Sequence, residues 1–166
     1  DNLINFVIQA RNNKYSGHVK YNMGSKDPDK GSIDCSGWVS YLFRQIVSEF
    51  SATGVQVPDN WKKTFNTMNG NQGAAGITMF ANAVSGLCPI TEVNGRDLRP
   101  GMIIGLSPIY NTKEKSRTAG RYLNVSHIAI LYRDNVGRIC VSESVSKIGV
   151  HAGITVEGYA SNMSRR

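Results

Sequence analysis

The sequence predicts an α+β fold, on three observations. Apolar residues in the first half recur at helical spacing. From residue 98 the pattern changes to short apolar runs separated by turn residues. Helices first and a strand meander second is the order of an α+β chain, not of alternating βαβ units. The 166 residues suffice for one domain with a full core, and neither an internal repeat nor a second core is evident. Residues 1–166 are therefore expected to form a single domain.

In chain order, Leu3, Phe6, Val7 and Ala10 predict a first helix, with Asp1 or Asn2 placed to cap it. Residues 11–34 are polar and rich in turn residues, among them Gly17, Gly24, Asp27-Pro28 and Gly31, and read as a long loop. Trp38, Val39, Leu42, Phe43, Ile46, Val47 and Phe50 then give the rhythm of a longer helix with one buried face. Val55-Gln56-Val57-Pro58 reads as extended, and Asp59 or Asn60 caps a short helix carrying Trp61, Phe65 and Met68. Residues 69–76 are glycine-rich but lack the Gly-Lys-Ser/Thr ending of a phosphate loop, so they read as a flexible connector. Ile77, Phe80, Ala81, Val84 and Leu87 predict another helix. Leu98-Arg99-Pro100-Gly101 is a turn, Met102 to Leu106 a short strand, and 107–124 a polar loop. Strands follow near 125–132, 138–144 and 149–154, and Asp134-Asn135 with Gly137 suits the hairpin turn between the first two.

Charge narrows the partners. The net charge is +7 and the isoelectric point about 9.5, so the chain is drawn to polyanions such as nucleic acid, anionic lipid or bacterial wall polymers. The basic residues are dispersed and lack the aromatic interleaving of a single-strand binder, so nucleic acid is not expected as a partner. The densest group is Lys113, Lys115, Arg117 and Arg121, opposed by Glu114. No apolar run reaches the ~18 residues of a membrane-spanning helix, so no integral membrane segment is expected. The three cysteines, Cys35, Cys88 and Cys140, make no disulfide framework and show no zinc spacing. Cys88 and Cys140 fit buried core positions, or a pair if exported. No metal or cofactor is expected.

The chemistry centres on Ile33-Asp34-Cys35-Ser36-Gly37-Trp38. Cys35 stands at the mouth of the long helix, where N–H groups lack intrahelical partners and the macrodipole is positive, a setting that suits a nucleophile. Gly37 leaves room for another stretch of chain. A cysteine nucleophile needs a base, and the base an orienting partner. Of His18, His127 and His151, His127 opens the apolar strand His127-Ile128-Ala129-Ile130-Leu131-Tyr132, where a polar residue needs a partner. The third group is expected on the neighbouring strand, from Ser142, Glu143 or Ser144. Glu143 is chemically the best, because a carboxylate both orients an imidazole and stabilises its cation; strand register decides, and the sequence leaves register open. Tyr21 fills a turn or lines the site with its hydroxyl.

Tyr21-Asn22-Met23-Gly24, Asp34-Cys35-Ser36-Gly37-Trp38-Val39, Leu98-Arg99-Pro100-Gly101 and His127-Ile128-Ala129-Ile130, in this order, resemble the NlpC/P60 cysteine peptidases. The resemblance runs from about Tyr21 to Val150. It implies a papain-like fold, with the nucleophile at a helix start packed on a C-terminal antiparallel sheet, and a single catalytic domain. It makes Cys35 the nucleophile and His127 the base. The family's third polar residue lies six positions before a Gly-Val pair, and counting back from Gly149-Val150 reaches Glu143. Tyr21 matches a tyrosine whose hydroxyl lines the family's site, and Ser36 a position lining the substrate groove. Met102 replaces the family's usual Asp, Ala129 its usual Gly, and the interval from His127 to Glu143 is longer than common.

The resemblance further implies hydrolysis of amide bonds in the peptide stems or cross-links of peptidoglycan, by a secreted or cell-envelope (periplasmic) protein. Without a wall-binding repeat the chain resembles secreted antibacterial amidase effectors, phage lysins or excised domains of housekeeping enzymes, and an effector implies a cognate immunity (inhibitor) protein in its producer. The alternative is a papain-like acyltransferase or deamidase acting on a non-wall substrate.

Overall fold

The computed structural model describes residues 2–56, 73–78, 98–108 and 112–163. The fold is α+β. Helices α1 (Asn2–Tyr15) and α2 (Cys35–Ala52) come first, α3 (Thr112–Arg117) lies between strands, and α4 (Val156–Met163) comes last. Strands β1 (Ile103–Leu106), β2 (His127–Arg133), β3 (Ile139–Val145) and β4 (Gly149–Thr155) form one antiparallel sheet in sequence order. Asp134 closes the β2–β3 hairpin by accepting the Val136 and Arg138 N–H groups, and Gly137 takes a φ of +88°. Pro100 and Gly101 form the expected turn before β1.

The sheet is covered on both sides. Ile128, Ile130 and Cys140 face α1 and α2 and join Ile8, Trp38, Val39 and Leu42 in the main core. Ala129, Leu131 and Val141 face the other way and pack with Val156 and Tyr159 of α4. Alternate side chains of a strand point to opposite faces, so two covered faces demand the unbroken apolar run of β2. A polar thread crosses the main core: Trp38 Nε1 donates to Ser142 Oγ at 3.0 Å, and Ser142 Oγ donates to Asn12 Oδ1 at 2.6 Å. Tyr15 meets the rings of Trp38 and Tyr41 edge-on and donates to Asp29 Oδ1 at 2.6 Å.

These contacts explain where the structure departs from the expected elements. The first helix runs on to Tyr15 rather than ending near residue 10, because Asn12 and Tyr15, polar or amphipathic by type, are buried. The rest of the 11–34 loop carries a 3-10 turn at Pro28–Lys30 and a bridge between Lys20 and Ser32. Residues 73–78 are helical, which bears out a helix at Ile77 but replaces the connector expected over 73–76, and Ala74, Ala75 and Ile77 pack into the main core. The loop 107–124 contains α3, whose Lys113, Lys115 and Arg117 are exposed. The helix expected around Trp61, Phe65 and Met68, most of the one from Ile77 to Leu87, and Cys88 lie outside the described residues. Cys140 is a buried free thiol. Among the described residues no helix is long and apolar enough to cross a membrane.

Gly149 ties β4 to the polar loop. Its φ is +83°, a β-carbon there would overlap the Val19 carbonyl oxygen, and Val150 N donates to that same oxygen at 3.0 Å. Gly149→Ala combines left-handed strain with backbone overlap and is expected to cost about 3 kcal/mol, read from the midpoint of urea unfolding. A cost below about 1 kcal/mol would contradict the close approach.

Candidate active site

The site starts from a cap. Asp34 is extended (φ −90°, ψ 179°) and its Oδ1 accepts the Gly37 N–H at 2.7 Å, which starts α2 at Cys35. Oδ2 accepts the Gly24 N–H at 2.9 Å, and Lys26 Nζ lies 2.8 and 2.7 Å from the two oxygens and 3.0 Å from Ser36 Oγ. Gly37 is required because a β-carbon would stand 2.8 Å from both Asp34 Oδ1 and the Ser25 carbonyl oxygen. The approaching Ser25–Lys26 stretch is the chain for which the glycine leaves room. Upstream, Ile33 N donates to Lys20 O at 2.9 Å and Ile33 O accepts from Ser144 Oγ at 2.7 Å. Loop, helix start and β3 together fix the backbone on which Cys35 sits. Asp34→Ala removes the cap and strands a partly buried ammonium, and is expected to cost about 3 kcal/mol in urea unfolding. Asp34→Asn, which keeps the cap acceptor, should recover at least about a third of that.

The structure brings Cys35, His127 and Glu143 together. Cys35 is buried and stands close enough to His127 to raise the proton affinity of the ring. His127 opens β2, and its Nε2 lies 2.6 Å from Glu143 Oε1, which leaves Nδ1 for the thiol. Of the three candidates on β3, Glu143 is the one facing the imidazole. Ser142 belongs to the polar thread and Ser144 holds Ile33. Glu143 is 4% exposed and has two further neighbours that sequence reasoning missed. Tyr159 of α4 donates to Oε1 at 3.0 Å, and His151 of β4 brings Nε2 to 2.9 Å from Oε2. The His151 N–H is not well aimed at that oxygen, so the contact is an electrostatic one at ion-pair distance rather than an aligned hydrogen bond.

Electrostatics follow from these contacts. Burial alone would push the Glu143 carboxyl up; the hydrogen bond from His127 and the close charges of His127 and His151 overcome this and hold it at about 2. Burial alone would push His127 down; the neighbouring Cys35 and the hydrogen-bonded Glu143, with their charges, lift it to about 9. A carboxylate anion thus backs an imidazole of raised proton affinity beside the Cys35 sulfur, an arrangement suited to taking the thiol proton, attack by sulfur and return of the proton from the ring.

The two other sequence candidates lie close by in the chain. Ser36 is buried in the Lys26–Asp34 network, and a β-carbon on Gly73 would stand 2.8 Å from its Oγ, so it faces the 73–78 helix. Tyr21 is partly buried and directly follows Lys20, whose carbonyl holds Ile33. His18 is exposed in the turn after α1. A separate polar crevice of about 240 Å³, lined by Gln9, Asn12, Tyr132 and Asp134 among others, opens at the far end of β2. At the rise of a strand it lies about 17 Å from His127 and takes no part in this site. Among the described residues no cluster of His, Cys, Asp and Glu could hold a metal ion. No protein-family model, curated protein or solved structure matches the chain.

Proposed function

We propose that this chain is a papain-like cysteine hydrolase of the NlpC/P60 type that cleaves amide bonds in peptidoglycan stem peptides or cross-links. The observation that carries the reading is the contiguous Cys35–His127–Glu143 chain, with the thiol at a helix start and the carboxylate 2.6 Å from the base. The motif order that resembles NlpC/P60 enzymes supplies the substrate class, and the net charge of +7 suits an anionic wall.

The Cys35 sulfur, its proton taken by His127, attacks the amide carbonyl carbon. The negative charge developing on oxygen is met at the helix start, where the Cys35 backbone N–H is available. His127 gives its proton to the leaving amine, the C–N bond breaks, and a thioester remains. His127 then takes a proton from water, whose oxygen attacks the thioester, and the sulfur leaves. Throughout, Glu143 holds the imidazole in orientation and stabilises its cationic form. In this reading Tyr21 borders the bound peptide, the buried Ser36 braces the helix start rather than lining the groove, and the protein works outside the cytoplasm, as an antibacterial effector with a cognate inhibitor or as a lysin.

The test is digestion of purified peptidoglycan by wild type and Cys35→Ala, with products identified by mass spectrometry. Stem fragments released by wild type alone are the expected result. A folded wild type that releases none would remove the wall substrate and favour acyl transfer or deamidation of another substrate.

A further inference from the structure

One orienting carboxylate needs one contact to its base, yet Glu143 is approached from three elements. His127 comes from β2, His151 from β4 and Tyr159 from α4, and Cys35 from α2 is the other ionisable group against them among the described residues. Neither added contact is an accident of crowding. Tyr159 is 2% exposed and wedged against Val141 and Leu131, so its hydroxyl is held in place. His151 is aimed by a bulge. Val141 pairs with Ile154, but its neighbour Ser142 pairs with Ala152, so Gly153 is the extra residue on β4, at a φ of +106°. Were Gly153 paired with Ser142 in a regular ladder, Ala152 would stand opposite Glu143, and His151 would turn to the other face. With the bulge, Glu143 and His151 are direct partners.

We propose that His151 and Tyr159 are positioning residues, which share the charge of Glu143 and so set how tightly it holds the His127 imidazole. This rests on reading Cys35, His127 and Glu143 as the catalytic set. Each donor that a carboxylate accepts spreads its charge and weakens its pull on any one partner. Tyr159 shares Oε1 with His127 directly, while His151 draws charge toward Oε2. An overly tight carboxylate would make the imidazolium a poor proton donor to the leaving amine. The clamp tempers it, and α4 becomes part of the site.

The experiment uses the full chain and two readouts that need no substrate. One is the NMR titration of the His127 ring, the other the pH dependence of Cys35 alkylation by iodoacetamide. Tyr159→Phe keeps the ring and drops only the hydroxyl; it should raise the His127 midpoint by about half a pH unit and carry the alkaline arm of the alkylation profile with it. His151→Leu should raise it as well, and His151→Gln, which restores a neutral donor, should return most of the shift. On peptidoglycan, kcat should fall about threefold in Tyr159→Phe with KM unchanged. Folded Tyr159→Phe and His151→Leu proteins with unmoved midpoints would overturn the proposal. Shifted midpoints in a wild-type background that releases no stem fragments would overturn the wall substrate and leave the positioning role supported.

Discussion

Cys35→Ala is expected to reduce stem release by on the order of 10⁴-fold or more while leaving the unfolding midpoint within about 1 kcal/mol of wild type. The first part follows from covalent catalysis: without sulfur there is no thioester, and His127 with the helix start can at most assist water. The second follows from local structure. Cys35 is the first residue of α2, the cap is made by Asp34, and the buried anchor of the helix is Trp38. Loss of a small buried thiol leaves these contacts intact. Circular dichroism with the digestion assay separates the two effects. A variant that still releases fragments at more than about a hundredth of the wild-type rate would remove Cys35 as nucleophile.

Glu143→Gln is expected to lower kcat by about 10²- to 10⁴-fold, with a smaller change in KM. The amide has nearly the same shape but carries no charge, so the proton affinity of His127 should fall and its tautomer is no longer dictated. The variant should also change how stability depends on pH. The carboxyl is depressed in the folded state, from 4.5 to about 2. Its contribution is therefore fully present above 4.5 and is lost as pH falls toward 2. His127 is raised, from 6.5 to about 9, so its contribution is present below 6.5 and lost as pH rises through 9. Both describe one coupled ion pair, on the order of 3 kcal/mol, and do not add. Wild type should be most stable between about 4.5 and 6.5, and calorimetry across pH 2 to 10 should show both flanks flattened in Glu143→Gln. Flanks identical to wild type would mean the pair contributes nothing to folding.

Legibility in the sequence followed the reach of each interaction. Helix α2, the turn at Asp134 and the four strands are set by neighbours a few positions apart, so periodicity and turn residues reveal them. Cys35 and His127 stand out because each breaks a local pattern, a polar or reactive residue at the mouth of an apolar run. Glu143 among three polar neighbours needed strand register, which only the folded sheet supplies. His151 was beyond reach for a sharper reason. The glycine that makes the bulge, Gly153, gives no sign in sequence of which way it turns the strand. Lys26 and Tyr159 act across the fold through single side-chain tips, and no local rhythm encodes such contacts. Residues 73–76 misled because glycine and alanine signal flexibility, whereas here small size allows close packing beside Ser36.

The ordering of these parts along the chain has a consequence for biosynthesis. Strands β2, β3 and β4 meet through short turns and assemble from adjacent residues, and α2 forms within itself. Joining Cys35 to His127 closes a span of roughly ninety residues, at an entropic cost of about 4 kcal/mol that only the docked helix and sheet repay. A nascent or half-folded chain therefore carries a thiol with no base beside it. In the reading proposed, the cell that makes this protein handles a latent reagent: amide-cleaving power arises in one late step, when the first half of the molecule closes onto the second.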